Sequence, residues 1–174
     1  TVEGRPCLSE RTCLRAELVR KGRSLRSWLA LNDAVVTKGA LSRMIDLKTT
    51  VDQQVMTHYK ADGVIISTPT GSTAYNMAAG GPIVHPHVSC ILVTPICPHT
   101  LTQRTMVLPE ESELTVEVLS DEEPIYLTID GQRGGALQGR DQLRRGDHER
   151  EDPGACQRRE PPSGAPPAPQ VRER

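Results

Sequence analysis

The 174-residue sequence contains no Phe, one Trp and three Tyr, so any hydrophobic core must be packed from aliphatic side chains. Its 21 basic and 22 acidic residues give a formal net charge of −1, which supplies no positive field for nucleic acid. No apolar run approaches the ~18–20 residues that a membrane-spanning helix needs, and Thr1–Arg11 does not resemble a signal peptide. These absences predict one soluble, cytoplasmic domain with neither a nucleic-acid nor a membrane partner.

The cysteines and histidines offer no clear metal site. The five cysteines are odd in number and contain no Cys-x-x-Cys, which argues against a disulfide framework and a four-thiolate zinc site. His85 and His87 lie two residues apart, a spacing that would put both rings on one face of a strand. Because Pro82 and Pro86 stand beside them, a loop with solvent-facing histidines is favoured.

Short apolar, β-branched runs separated by turns dominate the sequence up to Ile129. Turns at Lys21-Gly22-Arg23 and Asp52-Gln53-Gln54 predict two hairpins. The strand-like runs are Leu14–Val19, Leu25–Leu31 leading to Val36, Met44–Tyr59 in two arms, Val64–Ser67, Ser89–Thr94, Thr105–Leu108, Leu114–Leu119 and Ile125–Ile129. One helix is predicted from Thr73 to Ala79, capped by Ser72 or Thr70 and stopped by Gly80-Gly81-Pro82. The fold class is therefore mainly β with one short helix.

The composition changes after Gln132. Only Leu137, Leu143 and Val171 are large aliphatic residues there, among many Arg, Gly and Pro. Such a segment buries too little apolar surface to offset its ordering entropy. We therefore predict a domain over residues 1–138 and a disordered tail over residues 139–174.

The segment from Asp62 to Tyr75 carries the strongest chemical signal. A buried strand runs into the hydroxyl-rich loop Thr68-Pro69-Thr70-Gly71-Ser72-Thr73 and then into the helix. Free backbone N–H groups and the positive end of a helix would favour an anion such as phosphate. An ordinary capped helix after a strand explains the same residues. No Gly-Lys-Ser/Thr follows the loop, and Ser72 lacks the second glycine of a nucleophile elbow.

The sequence Asp62-Gly63-Val64-Ile65-Ile66-Ser67-Thr68-Pro69-Thr70-Gly71-Ser72-Thr73-Ala74-Tyr75, followed by Ala79-Gly80-Gly81-Pro82, resembles the signature block of NAD kinases. Two further blocks agree with that family in order and spacing: Leu31–Val36 and Thr94–Leu101. The resemblance covers about Leu14 to Gln132. It implies the β-sandwich-like carboxy-terminal domain of an NAD kinase.

The resemblance also assigns residues to NAD binding. They are Asn32, Asp33, Arg43, Lys60, Asp62, Thr73, Ala74, Tyr75, Asn76, Met77, Ala78 and Gln132. An amide at Asn32 can pair with a ring edge, and a carboxylate can accept hydrogen bonds from ribose hydroxyls. Asp33 stands where Glu is commoner in the family, and Ala78 replaces a serine seen in some relatives. His99 is expected to be either structural or pocket-lining.

Some of these residues also have simpler interpretations. Asn32 before an apolar run is typical of a turn, and Asp130-Gly131 before Gln132 suggests a turn as well. Arg43 and Lys60, taken singly, are typical solvated charges. The resemblance favours the binding roles.

The implied reaction transfers the γ-phosphoryl group of ATP, or of polyphosphate, to the adenosine 2′-hydroxyl of NAD, giving NADP. The family implies a divalent cation, expected to be Mg²⁺, and a homo-oligomer in the complete enzyme. NAD kinases carry a Gly-Gly-Asp-Gly loop whose Asp is taken as the general base. In this sequence Gly80-Gly81 is followed by Pro82 and Gly134-Gly135 by Ala136, so the motif is absent.

We therefore assign no catalytic or metal-binding residue to this chain. We expect a fragment or truncated product that is inactive alone. The alternatives are a catalytically silent NAD-binding module and a lipid kinase of the same broad superfamily.

Overall fold

The computed structural model describes residues 11–100, 102–120 and 124–145. Within these ranges the chain forms twelve strands, one 3₁₀ turn at Thr70–Thr73 and one α-helix, α1, at Tyr75–Ala78. The strands are β1 Leu14–Arg20, β2 Arg23–Ala30, β3 Asp33–Lys38, β4 Ile45–Val51, β5 Gln54–Ala61, β6 Gly63–Ser67, β7 Cys90–Ile96, β8 Met106–Pro109, β9 Leu114–Val118, β10 Ile125–Ile129, β11 Gln132–Leu137 and β12 Gln142–Arg145. The mainly β class with one short helix is confirmed.

The strands form two antiparallel six-stranded sheets. Sheet A has the order β2-β1-β12-β9-β4-β5, and sheet B has the order β11-β10-β3-β6-β7-β8. One apolar core draws on both sheets, with Leu18 and Leu47 from sheet A against Val36 and Leu127 from sheet B. Two sheets that bury their facing sides in this way form a sandwich. The aliphatic composition is sufficient to fill the core.

The two predicted hairpins are present. Lys21 and Gly22 join β1 to β2 with φ of 51° and 75°, and Asp52 and Gln53 join β4 to β5 with φ of 47° and 65°. Two-residue turns with positive φ match the twist of antiparallel strands. The predicted run from Leu25 to Val36 is instead two strands, because the chain leaves sheet A after β2 and enters sheet B at β3.

The helix differs from the prediction. Ala74, with φ −91° and ψ −129°, separates the 3₁₀ turn from α1, so no continuous helix runs from Thr73 to Ala79. Neither Ser72 nor Thr70 caps it, since both helical segments lack a side-chain cap hydrogen bond. The Ser72 hydroxyl instead bonds to the backbone of Val84, at 3.2 Å to its oxygen and 3.0 Å to its nitrogen. A four-residue helix also provides little dipole, so the proposed anion site at its start has no support.

The predicted start of the disordered tail at residue 139 was wrong. Residues 142–145 form β12, which lies between β1 and β9 inside sheet A, and Leu143 is only 1% exposed. The buried carboxylate of Asp141 accepts from Arg20 Nε and Nη2, each at 2.7 Å, and from the amide of Gln138 at 2.8 Å. Pairing on both sides and the partly buried ion pair between Arg20 and Asp141 order the segment despite its single large aliphatic residue. The remaining predicted tail, residues 146–174, lies outside the described residues.

Two other expectations concern membranes and metals. Within the described ranges no helix is long and apolar enough to span a membrane. Across the same residues, no group of three or more His, Cys, Asp and Glu side chains comes together as metal ligands would. His85 and His87 lie exposed in the loop that follows α1, as predicted.

Candidate functional site

The helical segment lies on the outer face of sheet B. Strand alternation turns Ile66 into the main core, whereas Val35, Ile65 and Ile96 form a second, smaller apolar cluster. Ala79, directly after α1, packs against this second cluster. The predicted binding segment therefore covers the side of sheet B that faces away from the sandwich core.

Asn76 anchors this segment. Its side chain is fully buried, and Nδ2 donates to the carbonyls of Ser72 and Pro82, each at 3.1 Å. The Thr94 hydroxyl, on β7, lies 2.6 Å from Asn76 Oδ1 and 3.0 Å from the Thr105 hydroxyl. Both amide protons of Asn76 are thus used within the chain. Its geometry suits holding α1 on the sheet.

The neighbours of Asn76 point the other way. Tyr75 is 45% exposed and Met77 is 49% exposed. Thr73, Ala74 and Ala78 are exposed as well. These five predicted residues leave an aromatic and apolar strip open to solvent beside the sheet, which is an arrangement suited to contact with a planar ring.

Asn32 and Asp33 lie where β3 begins, against the loop that follows β6. The amide of Thr68 donates to the Asn32 carbonyl at 2.9 Å, and the Thr68 hydroxyl donates to the Leu31 carbonyl at 2.6 Å. The amide of Gly71 in turn donates to the Thr68 hydroxyl at 3.0 Å. Thr68 therefore connects the Leu31–Asp33 segment to the glycine loop.

Position 71 requires glycine because there is no room for a side chain. A Cβ at this position would collide with the backbone carbonyl of Asn32. A positive φ is not the reason, because Gly71 is not among the glycines with positive φ. The close approach brings the start of the helical segment directly onto Asn32.

Asp33 is the least ordinary residue of this group. It is only 4% exposed, and no described residue donates a hydrogen bond to its carboxylate. Burial, and secondly the negative charge of Asp130, raises the pKa of Asp33 from 3.8 to about 6. Its oxygens are not among the described side-chain atoms that are both fully buried and unbonded, so the carboxylate retains some contact with solvent. It is suited to accept a hydrogen bond from a ligand hydroxyl.

Asp130 belongs to this site but was considered only as a turn residue in the sequence. Its carboxylate accepts hydrogen bonds from the amides of Leu31, Asn32 and Asp33. Gln132, a predicted NAD contact, is exposed at the start of β11, two residues further on. The only sequence signal for Asp130 was an Asp-Gly pair, which is common at hairpin turns.

Asp62 lies at the other end of β6, beside Lys60, the second-last residue of β5 in sheet A. Arg43 lies in the loop between β3 and β4. Asp33 pairs with Ser67 at one end of β6, whereas Asp62 directly precedes Gly63 at the other. At ~3.3 Å per residue, the two ends of β6 are about 13 Å apart. The structure therefore divides the predicted binding residues into two groups.

The second group is held by ion pairs and backbone bonds. Asp62 lies 3.4 Å from Lys38 Nζ, and Lys60 lies 4.0 Å from Asp46. Arg43 is exposed, and so is His99, whose amide donates to the Lys60 carbonyl at 2.8 Å.

The helical segment reaches from one group toward the other. It begins with Gly71 against Asn32 and ends with Ala79 in the cluster that contains Ile96, whose carbonyl accepts from the amide of Asp62 at 2.9 Å. An extended ligand laid along the segment could therefore contact both groups. A separate shallow cavity of about 340 Å³ contains only one predicted residue, Lys60; its lining is Asp46, Leu47, His58, Tyr59, Lys60 and Leu119.

These features define a class of protein: a two-sheet antiparallel β domain that lays one short helix over a sheet, beside a buried carboxylate. The family model described as the ATP-NAD kinase C-terminal domain matches residues 31–149, more than half of the chain. The chain therefore belongs to the ATP-NAD kinase family.

Individual relatives agree with this assignment. The NAD kinase of Geotalea daltonii is 50% identical over 137 residues, which are 79% of this chain and 48% of that protein. Yeast NADH kinase complexed with NADH superposes with a TM-score of 0.73 at 36% identity, covering 77% of this chain and 39% of that one. An NAD kinase from Archaeoglobus fulgidus in complex with ATP gives 0.64 at 28% identity, covering 79% and 51%. The chain spans about half the length of the curated relatives it matches.

Proposed function

We propose that this chain is the NAD-binding part of an NAD kinase and holds NAD along the outer face of sheet B. The proposal is carried by the nearly buried Asp33, whose carboxylate accepts no hydrogen bond from a described residue, beside the exposed strip formed by Thr73, Ala74, Tyr75, Met77 and Ala78. In this proposal the Asp33 carboxylate accepts a hydrogen bond from a ribose hydroxyl. The Asn32 side-chain amide forms hydrogen bonds with a ring edge, and Tyr75 contacts a ring face. The yeast relative is described as a complex with NADH, which supports a dinucleotide at this fold.

The proposed reaction phosphorylates the adenosine 2′-hydroxyl of NAD to give NADP. ATP is the proposed donor, since one structural neighbour is described as a complex with ATP; polyphosphate is the other donor that we retain. Catalysis of such a step depends mainly on positioning and on charge stabilisation. This chain contributes by fixing the dinucleotide, with Asp62 as a further acceptor and Arg43, Lys60 and Gln132 as further contacts.

The family resemblance implies a divalent cation, and we retain Mg²⁺ as the proposed one. The described residues bring together no cluster of three or more potential ligands. We therefore assign neither Mg²⁺ nor any step that depends on it to side chains of this chain.

We further propose that the 174-residue chain binds NAD without phosphorylating it at a useful rate. Its sequence contains no Gly-Gly-Asp-Gly loop, and the family's general base is assigned to that loop. General-base assistance is typically worth 10²–10⁴-fold in rate. A catalytically silent NAD-binding module is the second candidate function, and this missing motif is the observation that favours it.

Reconstitution separates the two candidates. The chain is incubated with ATP, Mg²⁺ and NAD, alone and with a separately produced amino-terminal half of the Geotalea daltonii enzyme, and NADP is measured with an NADP-specific dehydrogenase. We expect NADP only in the mixture. Robust NADP formation by the chain alone would refute our assignment of the base. NAD binding without NADP formation in the mixture would favour the silent module.

Asp62 and oligomeric state provide two further tests. Asp62→Asn should weaken NAD binding, because an amide donor replaces part of a charged acceptor. An unchanged dissociation constant would remove Asp62 from the site.

We also propose a homo-oligomer in the complete enzyme, which light scattering after size-exclusion chromatography would measure.

A further inference from the structure

We propose that Asp130 is a positioning residue of the NAD site, which fixes Asn32 and Asp33 through their backbone amides. Its carboxylate accepts three hydrogen bonds from consecutive residues: from Leu31 N at 2.8 Å, Asn32 N at 2.7 Å and Asp33 N at 3.1 Å. The Asp130 amide returns a bond to the Asp33 carbonyl at 3.0 Å. The inference rests on the proposed function, because it concerns the same site.

The carbonyls of Leu31 and Asn32 accept hydrogen bonds from Thr68, whereas the amides of Leu31, Asn32 and Asp33 donate to Asp130. Leu31 and Asn32 lie between β2 and β3, where the chain passes from sheet A to sheet B. Hydrogen bonds to an ionised carboxylate are shorter and stronger than those between neutral groups. The Asp130 side chain accepts hydrogen bonds from three successive amides and therefore sets the backbone path of Leu31–Asp33. This path determines where the Asn32 and Asp33 side chains are placed.

The turn by itself does not require an aspartate. Asp130 and Gly131 join β10 to β11 with φ of 48° and 73°. Glycine adopts positive φ more readily than aspartate, so glycine at position 130 would suit this turn at least as well. The carboxylate is explained by its acceptor role toward Leu31–Asp33.

The same structure offers a matched control. Asp52, in the β4–β5 turn, also has a positive φ of 47°, and its carboxylate accepts from the amide of Glu113 at 2.8 Å. That turn belongs to sheet A and touches none of the predicted NAD contacts. Asp52→Gly therefore makes the same chemical change at a hairpin turn away from the site.

Two variants and two measurements test the proposal on the whole chain. Asp130→Gly keeps the turn and removes the acceptor, and Asp130→Asn keeps one acceptor oxygen and removes the charge. Amide hydrogen exchange is followed by NMR at Leu31, Asn32 and Asp33, with Ile65 in β6 as the internal reference. NAD affinity is measured by titration.

We expect Asp130→Gly to speed exchange at the three amides and to raise the NAD dissociation constant, each by about tenfold or more, while exchange at Ile65 stays unchanged. Asp130→Asn should show smaller changes, and Asp52→Gly should show none at these amides. If Asp130→Gly does not fold, amide exchange and NAD affinity of the Asp130→Asn variant test the proposal instead.

Unchanged exchange at the three amides, or unchanged NAD affinity, would overturn the proposal. General destabilisation would accelerate exchange at Ile65 as well, and would equally count against a positioning role. Absence of NAD binding by the unaltered chain refutes the proposed function and the purpose assigned to Asp130. In that case exchange still reports whether Asp130 orders the Leu31–Asp33 segment.

Discussion

Replacing Asp33 by Asn should stabilise the folded chain at neutral pH and weaken NAD binding at the same time. Asp33 as a whole residue is 4% exposed, and its carboxylate accepts no hydrogen bond from a described residue. Its charge is therefore poorly compensated in the folded state, and the nearby carboxylate of Asp130 adds repulsion. An amide of similar shape removes the charge but cannot replace the acceptor that the proposed ribose contact needs.

The size and sign of the effect follow from the pKa of Asp33, which burial raises from 3.8 to about 6 in the folded state. Between those pH values the folded chain binds more protons than the unfolded chain, so the free energy of unfolding falls as pH rises. Above pH 6 the ionised group costs the fold about 3 kcal/mol. At pH 4, where folded Asp33 is protonated, the cost is nearly absent.

Urea denaturation at pH 4 and pH 7.5 measures this difference. Asp33→Asn should gain about 3 kcal/mol over the unaltered chain at pH 7.5 and nearly nothing at pH 4. Asp46→Asn is the control, because the Asp46 side chain is 51% exposed and its ion pair with Lys60 is long, at 4.0 Å. Its stability should change little at either pH. If Asp33→Asn is less stable than the unaltered chain at pH 7.5, or if its gain in unfolding free energy is the same at both pH values, the ionised Asp33 does not destabilise the fold as proposed.

Two further substitutions and one truncation test the supports of the site and the domain boundary. Gly71→Ala should place a Cβ against the Asn32 carbonyl, lowering the free energy of unfolding by about 1–3 kcal/mol and weakening NAD binding; an unaffected variant would contradict this. Asn76→Ala should release α1 from Thr94 and speed amide exchange in that helix, and unchanged exchange would remove its anchoring role. Ending the chain at Gly139 deletes β12 and leaves β1 and β9 with one strand partner each, so cooperative unfolding should be lost; a sharp urea transition would show the strand to be dispensable.

The strands were predictable because their signals are local. Runs such as Val64–Ser67 are β-branched, short and bounded by turns, and they need no knowledge of their partners to be recognised. The turn at Lys21-Gly22 is equally local, since glycine readily adopts the positive φ that Gly22 has there. The division of the Leu25–Val36 run between two sheets was not predictable, because it depends on pairing with distant strands.

The helix and the last strand were mispredicted because tertiary contacts determine them. Ser72 would be an ordinary cap in isolation, but Val84 occupies its hydroxyl in the fold. β12 contains one large aliphatic residue, and its ordering depends on an ion pair between Arg20 and Asp141, 121 positions apart in the chain. No window of sequence around Leu143 contains that information.

The candidate site could be predicted from sequence only through the family resemblance. The sequence does not show that the residues around Asn32 and those around Asp62 form two separate groups. In the structure they lie at opposite ends of β6. The buried state of Asp33 depends on its neighbours in sheet B. The role of Asp130 depends on three hydrogen bonds across nearly a hundred positions, which an Asp-Gly pair does not indicate.

A calorimetric titration of NAD into the 174-residue chain measures whether this chain holds NAD by itself. We predict saturable binding that is weakened by Tyr75→Ala and by Asp33→Asn. Leu25→Ala, a change at a 52% exposed residue on β2 of sheet A, a strand with none of the proposed contacts, should leave the affinity unchanged. The proposed NAD site would be contradicted if the chain showed no saturable binding. It would also be contradicted if Tyr75→Ala and Asp33→Asn bound NAD as tightly as the unaltered chain.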